Sequence, residues 1–437
     1  MTAFNNLSAT VIAWMIRERE ILPSAVMAAH LERIAEREAD IGAFVHLDAD
    51  RAMQRARDAD SQPAKGPLHG VPFVIKDIID TDDMPTGWGS DIYTDRRPTS
   101  NAACVKSFLD AGAIPIGKTV TTEFAYFRPG KTANPHNLSH TPGGSSSGSA
   151  AAVADGMAPL GFGSQTAASL IRPAAYCGIC AFKPTTGEFD LSGVMALSPS
   201  LDTLGVLARD PRDLVLARSV LTASALPKPP DFSDNLPRIS LMRGPHWQDG
   251  TIEMRDVCHR AMRALSESGA ETGEMHHPDL FAELTEAHKT VMSYETARSR
   301  ADLYDAHRSA ISDQFKQLVE DGRTVTDARY HAALALRERA NAMLDVMFLD
   351  CDAVLVPSAP GEAPEGLGAT GDPLFSRMWS LLQLPCVALP LGVGPGGMPL
   401  GIQLIGRKGG DSKLLAVAEW VHAVFQNHLA RTAIRKR

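Results

Sequence analysis

Apolar positions recur at helical spacing in residues 11–16, and Pro23-Ser24 opens a second helical stretch to about Ala35. Residues 48–60 are predicted as a third helix, mostly polar. The pattern then changes. Gly70-Val71-Pro72-Phe73-Val74-Ile75-Lys76-Asp77 is a short unbroken apolar run, predicted as a buried strand that ends in a lysine and an aspartate. A helix over 101–110 and a strand over 113–116 follow, and from 150 to 206 short apolar runs alternate with Gly/Pro turns. Residues 250–350 are rich in Ala, Arg, Glu and Met at helical period and predict a block of several helices. Strands are predicted again at 352–357, 386–391 and 400–405, and a helix at 412–425. Helices and strands alternate at both ends of the chain. This predicts one large α/β unit spanning 1–437, a mixed central sheet covered by helices on both faces. Within it, 1–60 is an N-terminal helical region, 61–245 and 350–437 form the core, and 250–345 is a helical block that covers the substrate.

Composition narrows the function classes. Of 437 residues 22% are charged, with a net charge of −8. No basic stripe with interleaved aromatics is present, so nucleic acid and anionic membrane are disfavoured as partners. The first residues lack a basic-then-apolar leader pattern, and no uncharged apolar run approaches the ~18 residues of a membrane span. A cytoplasmic location is the expectation. The six cysteines, Cys104, Cys177, Cys180, Cys258, Cys351 and Cys386, are scattered, which favours reduced thiols over a disulfide framework. Cys177 and Cys180 make a C-x-x-C, but no second pair completes a zinc site.

Three motifs carry candidate chemistry. Gly112-Ala113-Ile114-Pro115-Ile116-Gly117-Lys118-Thr119 satisfies the phosphate-loop pattern G-x-x-x-x-G-K-S/T. That loop needs a strand before it and a helix after it. Here a helix precedes and the middle residues are strand-forming, so helix, turn and strand is the better reading. Gly144-Ser145-Ser146-Ser147-Gly148 matches the G-x-S-x-G elbow with Ser146 as nucleophile. An elbow follows a buried strand, and His140-Thr141-Pro142 is not one. The third candidate combines Lys76, Ser145 and Ser169. Lys76 reads either as a surface lysine past its strand, paired with Asp77 or Asp80, or as a buried neutral base. Burial disfavours the ammonium form, and a neutral lysine can activate a serine. Spacing alone leaves both readings open.

An ordered set of segments resembles the amidase signature family. It runs from Gly70-Val71-Pro72 with Lys76-Asp77, through Gly117-Lys118-Thr119, Glu123-Phe124, Asn134-Pro135 and residues 142–149. It continues through residues 163–173, Phe182-Lys183-Pro184 and Ser200-Leu201-Asp202, and ends at Leu384-Pro385 and Pro399-Leu400-Gly401-Ile402-Gln403-Leu404-Ile405-Gly406. The resemblance implies that Ser169 is the nucleophile, Ser145 a bridging serine on a cis peptide bond, and Lys76 the base. It implies an oxyanion hole from the backbone N–H groups of Thr166, Ala167, Ala168 and Ser169, and no metal or cofactor. The expected reaction is hydrolysis of a small carboxamide or urea-like C–N bond through an acyl-enzyme. Two alternatives stand beside it: the A-type subunit of a glutamine-dependent amidotransferase complex, and a weakly active or inactive relative. The last arises because Ala168 occupies a place where the family commonly has glycine, so its methyl group is expected to crowd the oxyanion site or forbid a positive φ. Tyr126 and Trp379 are the candidate substrate-binding residues. The expected partner is a small-molecule amide, with homo-oligomerisation left open.

Overall fold

The computed structural model describes residues 4–232 and 235–434. Eleven strands form one mixed sheet. They are β1 (Phe44–Leu47), β2 (Pro72–Lys76), β3 (Ile114–Thr119), β4 (Leu160–Gln165), β5 (Cys180–Lys183), β6 (Thr203–Ala208), β7 (Arg238–Met242), β8 (Glu271–Met275), β9 (Ala353–Pro357), β10 (Cys386–Val393) and β11 (Pro399–Ile405). Their order is β1-β3-β2-β4-β6-β5-β10-β11-β9-β7-β8. The predicted α/β unit with a mixed sheet flanked by helices is what the chain forms.

Two features depart from the sequence expectation. The helical N-terminal region contains the edge strand β1, antiparallel to β3. The block expected to be all helix contains the opposite edge strand β8, parallel to β7. The helix Ile252–Glu267 touches β7, β8 and β9, so it packs on the sheet. The helices that follow in this block begin with Leu284–Ser299.

The centre of the sheet sets the site. β2 runs parallel to both β3 and β4, with Ile75 opposite Phe162 and Lys76 opposite Thr119. The C-terminal ends of β2 and β4 therefore lie side by side, the usual place for a site in α/β sheets. Every residue of β2 and β4 is buried. The helix Ser147–Ala154 packs against β2, β3 and β4. It is apolar or small on all sides, as a buried helix must be. Gly148 permits that approach, because a Cβ there would collide with the Ala43 carbonyl and the Val120 nitrogen.

The phosphate-loop pattern resolves as predicted for its alternative. Helix Ala103–Asp110 ends before Gly112, which takes φ +88°, and residues 114–119 are β3 itself. All six cysteines are buried free thiols. Among the described residues no three His, Cys, Asp or Glu side chains converge as a metal site would require. No described helix is long and apolar enough to cross a membrane.

Candidate active site

Lys76 ends β2 and is fully buried. Its amine nitrogen donates to Ser145 Oγ at 2.7 Å and to Ser164 Oγ at 2.8 Å. The carboxylates expected of a surface lysine are engaged elsewhere. Asp77 pairs with Lys118 at 3.0 Å, and Asp80 with Arg96 at 2.7 Å. Burial without an ion pair penalises the charged form and brings the Lys76 pKa down to about 7, with Asp202 opposing the shift from a distance. Lys76 is therefore not the surface residue of the first reading, but a buried amine bonded to two hydroxyls.

Ser145 follows Gly144 across a cis peptide bond, just before the helix Ser147–Ala154. Ser146, the elbow candidate, faces away into the fold. Its hydroxyl accepts from Ser164 N–H and donates to the Ser164 carbonyl. Ser145 and Ser169, by contrast, line one cavity together with residues 166–168.

The loop 166–169 leaves the C-terminal end of β4, and every one of its carbonyls is engaged. Thr166 O accepts from His288 Nε2 at 2.9 Å and Ala167 O from the Ser380 hydroxyl at 2.8 Å. Ala168 O accepts from Arg172 N–H and Ser169 O from Ser146 N–H. The N–H groups of the same four residues donate to no partner among the described residues. Side chains fix this one-sided arrangement. Gln165 Oε1 accepts from the N–H groups of Leu170 and Ile171, and Asp202 accepts from the Thr166 hydroxyl at 2.6 Å. Burial raises the Asp202 pKa to about 6 despite three hydrogen bonds that favour the carboxylate. Ala168 is buried, and its φ is not positive. The loop thus needs no glycine there, contrary to one of the two expectations attached to that methyl group.

Tyr126 is brought to the cavity as expected, with Phe127 beside it. Phe124 and Ala125, at φ 49° and 59°, make a left-handed turn that aims this segment inward. Such conformations cost about 1–2 kcal/mol per residue. Trp379 does not line the cavity; it is wholly buried in the core. Helix Leu374–Leu381 explains why. Two residues are about 200° apart on a helix, so the face that presents Arg377 to the cavity turns Trp379 away from it.

Ser164, Met292, His288 and Arg377 are among the contributors that sequence reasoning misses. Ser164 is the second hydroxyl on Lys76, while Met292 and Arg377 line the cavity. For Ser164 the one available signal was its register beside the end of β2. His288 lies in the helical block, where nothing in its sequence setting marks it, and it joins Thr166 to Arg377. Arg377 donates to His288 Nδ1 at 3.1 Å, so the imidazole proton sits on Nε2 and points at the Thr166 carbonyl. Burial, aided by Arg377, pushes the His288 pKa down to about 3, which keeps the ring neutral.

The sequence profile of the Amidase family matches residues 25–415. Among curated proteins, the A-type subunit of the glutamyl-tRNA(Gln) amidotransferase of Nitratidesulfovibrio vulgaris is 32% identical over 95% of this chain and 96% of its own. That of Halothermothrix orenii is 30% identical over 92% and 94%. Among solved structures, an amidase superposes with TM-score 0.87 at 28% identity, over 96% of this chain and 100% of its own. The peptide amidase of Stenotrophomonas maltophilia gives 0.81 at 26%, over 96% and 97%. From β2 to β11 the buried lysine, the two serines and their loops lie in the frame that these relatives share, and the chain belongs to the Amidase family.

Proposed function

We propose that the protein cleaves a carboxamide C–N bond through an acyl-enzyme on Ser169. One observation carries this reading: a wholly buried lysine, unpaired with any carboxylate, bonds the Ser145 hydroxyl at 2.7 Å beside the cavity that Ser169 also lines. Ser169 Oγ attacks the amide carbonyl carbon. Its proton passes to Ser145 Oγ as the Ser145 proton passes to neutral Lys76. The oxyanion that forms is stabilised by the unpaired N–H groups of Thr166, Ala167, Ala168 and Ser169. Losing one such donor typically costs about 10²–10³ in rate. The proton returns along the same hydroxyls to the leaving nitrogen, the C–N bond breaks, and water then releases the acid from Ser169. The bonds that hold all four loop carbonyls fix the N–H groups before substrate arrives, which is the arrangement that electrostatic catalysis requires. They also speak against an inactive relative.

The fate of the released ammonia divides two readings. The curated relatives favour the one in which the chain is the A-type member of an amidotransferase, takes its ammonia from glutamine, and works with partner chains. The likeness to proteins named as amidases supports hydrolysis by the chain alone. Ammonia release by the purified chain from glutamine and from other primary amides tests both. Turnover of simple amides without partners supports the hydrolase. Turnover confined to glutamine, and raised by chains that co-purify with it, supports the amidotransferase. No ammonia from any amide, with or without those chains, overturns both.

A further inference from the structure

The lining of the cavity beside Ser169 carries charge of one sign, with the exposed Asp372 and Glu286 acting on it only from farther out. Two guanidinium groups, Arg172 and Arg377, line it, and no carboxylate does. Both are buried, at 3% and 6% exposure, and neither makes an ion pair with a described residue. A buried charge without a partner is costly. An anion that enters with the substrate removes that cost.

The two arginines are engaged differently. Arg172 gives its fork to the frame: NH1 to Gly371 O, and NH2 to Gly144 O at 2.7 Å and Thr370 Oγ1 at 3.0 Å. It ties the loop at 370–371 to the segment that carries Ser145. Arg377 has a single hydrogen bond, to the neutral His288 ring. That acceptor orients the guanidinium without cancelling its charge. Arg377 also borders the adjoining opening, where Asp372 and Lys289 stand at the surface. It therefore sits between the mouth and the reacting serine.

We infer that Arg377 binds a carboxylate on the acyl side of the substrate, so that the protein takes primary amides of short dicarboxylic acids, amide carbon at Ser169 and carboxylate at Arg377. The fork of an arginine suits a planar carboxylate through paired N–H donors. The cavity is small, which restricts the acyl chain to a few carbons. His288 makes the same arrangement felt at the oxyanion loop, because the ring that holds Arg377 also holds Thr166 O. The inference rests on Ser169 as the acylated residue, and glutamine falls within the same chemical class.

Two measurements keep the anion site separable from the catalytic reading. The first is ammonia release from length-matched pairs: succinamic acid against succinamide, and glutaramic acid against glutaramide. The anion is expected to win by about 100-fold in kcat/KM, and Arg377→Gln to erase the preference. Arg377→Lys, which keeps the charge but loses the fork, should keep part of it. Equal rates on both members of each pair, or a preference that survives Arg377→Gln, overturns the inference. The second is calorimetric binding of the two half-amides to Ser169→Ala protein. Binding is expected there, and should be lost when Arg377→Gln is added. Binding that depends on Arg377 in a protein whose wild type cleaves no amide would sink the catalytic reading and leave the anion site standing. Binding indifferent to Arg377, or none at all, sinks the anion site.

Discussion

Lys76 Nζ stands 2.7 Å from Ser145 Oγ, and its other hydrogen-bond partner is a second hydroxyl, that of Ser164. With no carboxylate to hold it charged, the buried amine gives up its proton near pH 7. Turnover that needs the neutral amine should rise about tenfold per pH unit below 7 and level off above it. A kcat/KM profile from pH 5 to 9 checks this, and Lys76→Ala should remove most activity at every pH. Stability carries the same signature. The folded lysine loses its proton near 7 and the unfolded one near 10.5, so between these values the unfolded state binds more protons. Wild-type stability should therefore gain from pH 7 to 10 through a contribution absent in Lys76→Met, as read from urea midpoints of both proteins.

The two neighbouring serines make opposite predictions. Ser169→Ala removes the attacking oxygen and should lower kcat by about 10⁴-fold or more. Ser146→Ala leaves the cavity intact but strips the Ser164 backbone of both bonds from its hydroxyl. It should keep most of its turnover and lose about 1–3 kcal/mol of stability. Steady-state kinetics and denaturant unfolding of the pair decide this, and the reverse pattern would restore the elbow.

Much of this site is legible in the sequence because it is local. Lys76 ends an apolar run, and Ser145 and Ser169 sit in small-residue segments that flank β4. What escapes is long-range. His288 reaches Thr166 across 122 positions and Arg377 reaches His288 across 89, and neither periodicity nor motif reports such pairings. Trp379 stands out in the sequence as a large aromatic, yet two positions along a helix separate a core residue from a cavity one. The missed strands share another cause. β1 and β8 are the two edges of the sheet, and β8, Glu271–Met275, has no buried residue. β8 therefore lacks the alternation by which a half-buried strand is recognised, and β1, with Phe44 as its one buried residue, is too short to show it.

The sequence predicts that Ala168 strains or crowds the oxyanion loop, and the structure removes half of that expectation. Its backbone is not in the positive-φ region, and its carbonyl accepts from Arg172 N–H as the other carbonyls of the loop accept from their own donors. Ala168→Gly should then release no latent activity. It should leave kcat within about threefold and cost roughly 0.5–1 kcal/mol through added chain freedom. Kinetics and unfolding of the variant are the check, and a rise of an order of magnitude would show that the methyl group does crowd the reacting atoms.

His288 separates positioning from bulk. Its ring donates to Thr166 O through Nε2 and accepts from Arg377 through Nδ1, both within a buried site. Leucine fills much of the volume and satisfies neither group. Each buried polar group left unpaired costs about 1–3 kcal/mol, and both lie where the reaction occurs. Glutamine offers one donor and one acceptor in place of the two ring nitrogens. His288→Leu should therefore lower kcat on the neutral diamides and kcat/KM on the half-amides, by about 10- to 100-fold, while His288→Gln restores a substantial part of both. Because burial holds the ring neutral down to about pH 3, neither variant should shift the limb near pH 7 that belongs to Lys76. A merely space-filling His288 predicts the opposite order, with leucine tolerated and glutamine not. A loss confined to KM for the anions would place its whole effect on Arg377 and none on the loop.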